Sequence, residues 1–222
     1  MSINEYINYD ITDFTYDQFV DFLFSHEVIP RPAGLESSGP WYWNAIVKFN
    51  SEKTADFYIR LFLEPAFLLD KYSKSQLEQG FWAIQSGNLE CSISEVIWDV
   101  KIPLETREKC VRAMFSLYQK LFSIEPLETA VEMWWDSLAY CWHCENRSRD
   151  KGGEDRSMQD VMFETLAQIL SLSSPEVQAS ALHGLGHLHH PDTEAVIKAF
   201  IANNPQSELL AYARAAGQFD VL

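Results

Sequence analysis

Apolar residues three and four positions apart recur along nearly the whole chain, and strict two-residue alternation is almost absent. That spacing follows the turn of an α-helix, so the pattern predicts an all-α fold built of helices packed on helices. The first run covers residues 13–26, with Phe14, Phe19, Phe22 and Leu23 on its buried side, and the Pro- and Gly-containing stretch that follows stops it. Residues 51–63 and 65–71 read as consecutive helical pieces divided at Pro65, whose ring does not fit an unbroken helix interior. Ser73 caps another helix, with Gln76 at the capping-box position and Leu77, Phe81, Trp82 and Ile84 as its apolar set; Gly87 ends it. A short helix over 92–98 leads to long ones over 103–122 and 126–142. Residues 41–47 fit a short helix or an extended segment equally well.

A chain of 222 residues with 47% hydrophobic and 14% aromatic residues can bury a core without staples. The richest apolar stretch, residues 57–69, is interrupted by Arg60, Glu64 and Pro65, so no membrane span is expected. The first residues have neither the basic start nor the apolar centre of a signal peptide. A cytoplasmic location follows as the expectation, with Cys91, Cys110, Cys141 and Cys144 as thiols. The formal net charge is −15, with −5 in each of the regions 1–50, 51–144 and 157–222. An acidity so spread repels phosphate backbones and argues against nucleic-acid binding. It serves solubility, and its sharper consequence is attraction of a basic protein partner.

Residues 145–157 contain no large apolar side chain and carry the adjacent pair Gly152-Gly153. They read as a polar linker or loop between an aromatic-rich helical region, 1–144, and a region 158–222 rich in small residues and regular turns, the two being compatible with one continuous stack. Within the latter, the segment 174–203 starts Pro175-Glu176-Val177. It continues through Ala181-Leu182 to Leu185-Gly186-His187-Leu188, turns at His190-Pro191-Asp192, and reopens with Glu194-Ala195-Val196-Ile197. A poorer second copy carries Ala213, Ala215, Ala216 and Gly217, and Gly186 and Gly217 stand 31 residues apart, a spacing suited to two-helix repeats. This resembles the HEAT-like repeat, in the short form also found in phycobilisome lyase-type proteins, over about residues 158–217. The departures are Gln178, where the family often has Arg, and a second copy that stops after one helix. The resemblance implies an α-α superhelix, a HEAT-like helical stack whose N-terminal part would be a degenerate, aromatic-rich continuation.

Two groups of residues stand out as candidate sites. His183, His187, His189 and His190 accompany Cys141-Trp142-His143-Cys144, a spacing from which zinc could draw ligands. On a helical wheel, however, Val177, Ala181, Leu185 and Leu188 share one side while His183 and His187 lie nearly opposite, which predicts that this pair faces solvent or a partner. The same wheel puts Cys141 in an apolar stripe and Cys144 at its edge. The two pairs therefore point into different environments, and no metal or cofactor is expected. The second group is Trp41-Tyr42-Trp43. Three successive bulky rings cannot all face one core, so at least one should be exposed or contact a partner.

No phosphate loop, His-Glu-x-x-His or Gly-x-Ser-x-Gly motif is present, and no catalytic residue is assigned. Carboxylate pairs such as Glu105/Glu108 and Glu128/Glu132 read as solvated helix faces. The expected function is a protein-interaction module binding a basic protein, of which an immunity or antidote protein masking a basic toxin is one form. Trp41, Tyr42, Trp43, His183 and His187 are its expected contact residues. The alternative, implied by the lyase-type resemblance, is an enzyme or accessory protein holding a small molecule in a pocket lined by aromatics and histidine. DNA glycosylase chemistry on such a scaffold is disfavoured by the acidic surface.

Overall fold

A computed structural model describes residues 6–28 and 39–221; the Pro- and Gly-containing stretch expected to end the first helix lies largely outside them. Most of the described chain is helical, in eleven α-helices joined by short 3-10 and π turns. In chain order these are α1 (Tyr16–Phe24), α2 (Ser51–Leu63), α3 (Phe67–Lys71), α4 (Lys74–Gln85), α5 (Ile93–Trp98), α6 (Leu104–Leu117), α7 (Asp136–His143), α8 (Gly153–Leu170), α9 (Pro175–Leu188), α10 (Thr193–Asn203) and α11 (Leu210–Gly217). None is long and apolar enough to cross a membrane.

Local chemistry sets many of these boundaries. Thr15 and Gln18 form a reciprocal capping box on α1, as Ser73 and Gln76 do on α4, each pair satisfying amides that the first helical turn leaves open. Asn50 caps α2, and Ser174 caps α9 with Pro175 in its first turn. The region 65–71 is helical only from Phe67, as the preceding turn is bonded from Leu68 N–H back to Pro65.

Three elements depart from the expectation. First, a small parallel sheet pairs β1 (Ile7–Asp10) with β2 (Ala45–Lys48) in the register Ile7 to Ala45. The ambiguous segment 41–47 is thus both forms in succession: Trp41–Trp43 is a 3-10 turn, and β2 follows with Ala45 and Val47 buried and Ile46 and Lys48 exposed. Two parallel strands need a crossover, which α1 provides. Second, the helix over 103–122 changes pitch. α6 ends at Leu117 and a π turn covers Tyr118–Phe122, closed by Ser123 N–H donating to Tyr118 O at 2.9 Å. Third, residues 126–142 are not one helix. The amides of Glu128, Thr129 and Ala130 donate at 2.9–3.0 Å to the carboxylate of Glu78 on α4, so a side chain some fifty residues away fixes the turn there. A 3-10 turn, Glu132–Trp135, then leads directly into α7.

α2 packs on α6, α6 on α8, and α8 on α9, which is flanked as well by α7, the Glu132–Trp135 turn and α11. Trp134 and Trp135 are wholly buried at the centre, and one core of buried residues runs from Ile11 to Val221. The polar segment 145–157 is tied down by Arg147 to Asp155 at 2.7 Å and by an ion pair of Arg149 with Asp160, and α8 already begins at Gly153.

α9 lies in the middle of the C-terminal part with every residue from Ser180 to Leu188 buried. Its glycines allow the close approach. A Cβ on Gly184 would lie 2.7 Å from Leu166 and Trp135, and one on Gly186 would lie 2.5 Å from Val221, so Gly186 packs against the tail after α11. The wheel reading that set His183 and His187 on a solvent or partner face is therefore overturned: both are buried, at 3% and 2% exposure. A one-sided apolar stripe describes a helix with one covered face, whereas neighbours surround α9 and its polar side chains must find partners inside.

Candidate functional site

The buried histidines converge on α7. Asp136 is the first residue of that helix, a position where the helix N-terminus favours a negative charge. His183 and His187 are one turn apart on α9 and present their Nε2 atoms to each other at 3.2 Å. Asp136 Oδ1 lies 2.5 Å from His183 Nε2 and 3.6 Å from His187 Nε2. On its other side His183 meets Tyr212 of α11, with Nδ1 2.6 Å from the phenol oxygen. Burial pushes the Tyr212 hydroxyl up to about 12, so it stays a neutral phenol able to donate or accept. His187 is pushed down to about 4, first by burial and then by the neighbouring His183, and is a neutral imidazole.

Beyond His187 the aromatic contacts continue outward. His143 and Tyr140 stand edge-on to it at 5.1 and 5.0 Å, and His143 Nδ1 lies 3.2 Å from His189 Nε2. His189 takes a left-handed backbone conformation at the end of α9, as do Glu145 after α7 and Phe219 after α11. Glycine usually fills such positions, and a side chain there costs about 1–2 kcal/mol. The ring of His189 rests on Phe219 at 4.4 Å, so two of these residues hold the ends of α9 and α11 together.

With His183 neutral, no single set of protons gives every contact around His183 and His187 its own hydrogen bond. If Tyr212 donates to His183 Nδ1, then His183 Nε2–H donates to Asp136 at 2.5 Å, and His187 Nε2 at 3.2 Å can only share that same proton. If a neutral His183 instead donates from Nδ1 to Tyr212, its bare Nε2 can accept from His187 but lies against the Asp136 oxygen, two acceptors 2.5 Å apart, a clash that only a second proton on His183 or a cation between the two removes. The 3.6 Å from His187 Nε2 to Asp136 is too long for a hydrogen bond. His187 Nδ1 is buried with no hydrogen-bond partner in either case. An unmet buried polar group costs about 1–3 kcal/mol.

The cysteines take no part. Asp136, His183 and His187 are the group of potential ligand atoms brought together among the described residues, all within 4.8 Å of one another. Cys141 is half-buried and Cys144 exposed, both as thiols. Cys91 and Cys110 lie in the core, where burial pushes them up to about 12, so neither is a nucleophile at neutral pH.

Trp41, Tyr42 and Trp43 line a groove of about 900 Å³ together with Trp82, Met133 and Asp136. They are not equivalent. Tyr42 is buried, and Trp41 stacks on His26 at 3.8 Å with edge contacts to Tyr9 and Phe22, whereas Trp43 is 50% exposed. The groove's charged lining is acidic, with Glu27, Glu78, Glu128 and Asp136 against Lys74. A second hollow of about 670 Å³, with Glu90, Glu95 and Asp99 against Lys101, meets the first at Gly87 and Asn88. No histidine is among the described residues that line the groove, so the aromatic and histidine groups of a combined pocket are separated, with Asp136 the residue common to both. Asp136 is the residue missing from the sequence reading: its only signal is a carboxylate directly after Trp134-Trp135, and its partners lie some fifty positions on.

Comparison of the chain with protein-family models, with curated proteins and with solved structures returns no match.

Proposed function

We propose that this protein is an interaction module that docks a basic, aromatic-bearing segment of a partner protein in the groove walled by Trp41, Trp43 and Trp82. The observation that carries this is the lining: an exposed Trp43 beside four carboxylates and a single lysine, continued by a second acidic hollow. Cationic side chains suit such a surface twice over, through the carboxylates and through the indole faces. The charge of −15 adds long-range attraction for a basic partner. In the same proposal the helices α8 to α11 are a short HEAT-like stack serving as scaffold. Its support is the segment from Pro175 to Ile197, with the tight approach of α9 to Leu166 of α8 at Gly184.

The test is a titration with a Lys/Arg-rich peptide containing one tyrosine, against the same peptide with glutamates in place of the basic residues. The cationic peptide should perturb tryptophan emission and bind, weakening steeply as salt rises. Trp43→Ala should shorten the complex lifetime without unfolding the protein, since half of its surface is already exposed. Trp41→Ala, by contrast, removes the stack on His26 and should lower thermal stability. Equal binding of the two peptides, or binding indifferent to both salt and Trp43→Ala, would place any interface elsewhere.

A further inference from the structure

We infer that Asp136, His183 and His187 form a binding site for a divalent first-row transition metal of the zinc type. Three potential ligand atoms from two helices lie together, with separations of 2.5, 3.2 and 3.6 Å. Ligand atoms about 2.0–2.1 Å from a tetrahedral zinc lie about 3.3 Å apart, so the cluster is close to the size of a coordination shell. Two imidazoles and a carboxylate are the donor set that borderline divalent ions accept, and three protein ligands leave a position for water or another group.

The crowding of acceptors at the same spot favours a cation there. A cation at the centre lets His183 donate Nδ1–H to Tyr212 and turn a bare Nε2 inward, and it converts the facing acceptors from a repulsive contact into three ligands. Tyr212 then orients the ligand from outside, as metal-bound histidines commonly require. The carboxylate of Asp136 is 31% exposed and belongs to the groove wall, which gives an ion a route in from solvent. The helix placing the histidines is enclosed by its neighbours, and their one-turn spacing is set by the helix itself before any ion arrives.

The experiment uses the full chain, stripped with chelator and desalted, and titrated with Zn²⁺ by calorimetry and with Co²⁺ by visible absorption. One ion per chain, a raised melting temperature and the strong visible bands of low-coordinate Co²⁺ are expected. Asp136→Asn and His187→Gln should each weaken binding about a hundredfold, and Tyr212→Phe about tenfold. Cys144→Ser should leave it unchanged. If His187→Gln does not fold, Asp136→Asn still decides, because that side chain is partly exposed and nearly isosteric. Absence of stoichiometric binding, binding that survives Asp136→Asn, or binding lost in Cys144→Ser would each overturn the assignment.

Discussion

Replacing Glu78 with alanine removes the acceptor for three consecutive backbone amides, those of Glu128, Thr129 and Ala130, and for the side chains of Thr129 and Trp82. The bonds from the Glu128 and Thr129 amides and from Thr129 Oγ1 are exposed; water replaces them, and each contributes about 0–0.5 kcal/mol. Those from the Ala130 amide and Trp82 Nε1 are partly buried and contribute about 1–1.5 kcal/mol each. The alanine variant should therefore lose about 2–4.5 kcal/mol, a drop of roughly 5–15 °C in melting temperature for a chain of this size. Glu78→Gln keeps the oxygen that accepts four of the five bonds and sets an amide N–H₂ against the Glu128 donor, so it should lose only about 0.5–1 kcal/mol. Urea unfolding at unchanged slope measures both, and hydrogen exchange at residues 128–130 locates the effect. Because the turn leads into α7, Glu78→Ala should also disturb Asp136 at the head of that helix. A loss under about 0.5 kcal/mol for alanine, or equal losses for alanine and glutamine, would refute the idea that Glu78 sets this turn.

Gly184→Val should destabilise by about 1–3 kcal/mol, because the new Cβ would sit 2.7–2.8 Å from Leu166 and from the Cβ and Cγ of Trp135, atoms with nowhere to go. Gly217→Ala is the control: its nearest neighbour, Ile197, is 3.4 Å away, and calorimetry should find it within about 0.5 kcal/mol of the parent. Burial lowers the affinity of His26 for protons despite a bond to the Phe22 backbone, so below its ordinary value of about 6.5 the unfolded chain binds more protons than the folded one. Stability should fall as pH drops from 7 through that range, and His26→Phe, which keeps a ring against Trp41, should flatten the fall in thermal melts taken between pH 7 and 5.

The helices whose limits depend on residues within one turn were legible in the chain alone. Residues 51–63 form a helix over the span that the apolar spacing predicts, and Ser73 with Gln76, or Ser174 with Pro175, mark starts by bonds that close locally. The aromatic triplet also carried a readable constraint, since one chain segment cannot turn three adjacent rings into the same core, and Trp43 is the one left half exposed. What the sequence could not contain is which faces get covered. His183 and His187 look like a surface pair on a wheel because the wheel knows only their own helix. Their burial comes from α7, α8 and α11 closing around α9, and the small residues at Gly184 and Gly186, lying off the apolar stripe, were the local sign that neighbours approach from several sides. The broken helix over 126–142 has the same origin: its local pattern favours continuous turns, but the carboxylate of Glu78 takes the amides of 128–130 and redirects the chain. Local sequence determines hydrogen bonds and periodicity within a turn or two. The meeting of Asp136 with two histidines nearly fifty residues away depends on how helices stack, and only the tertiary structure decides that.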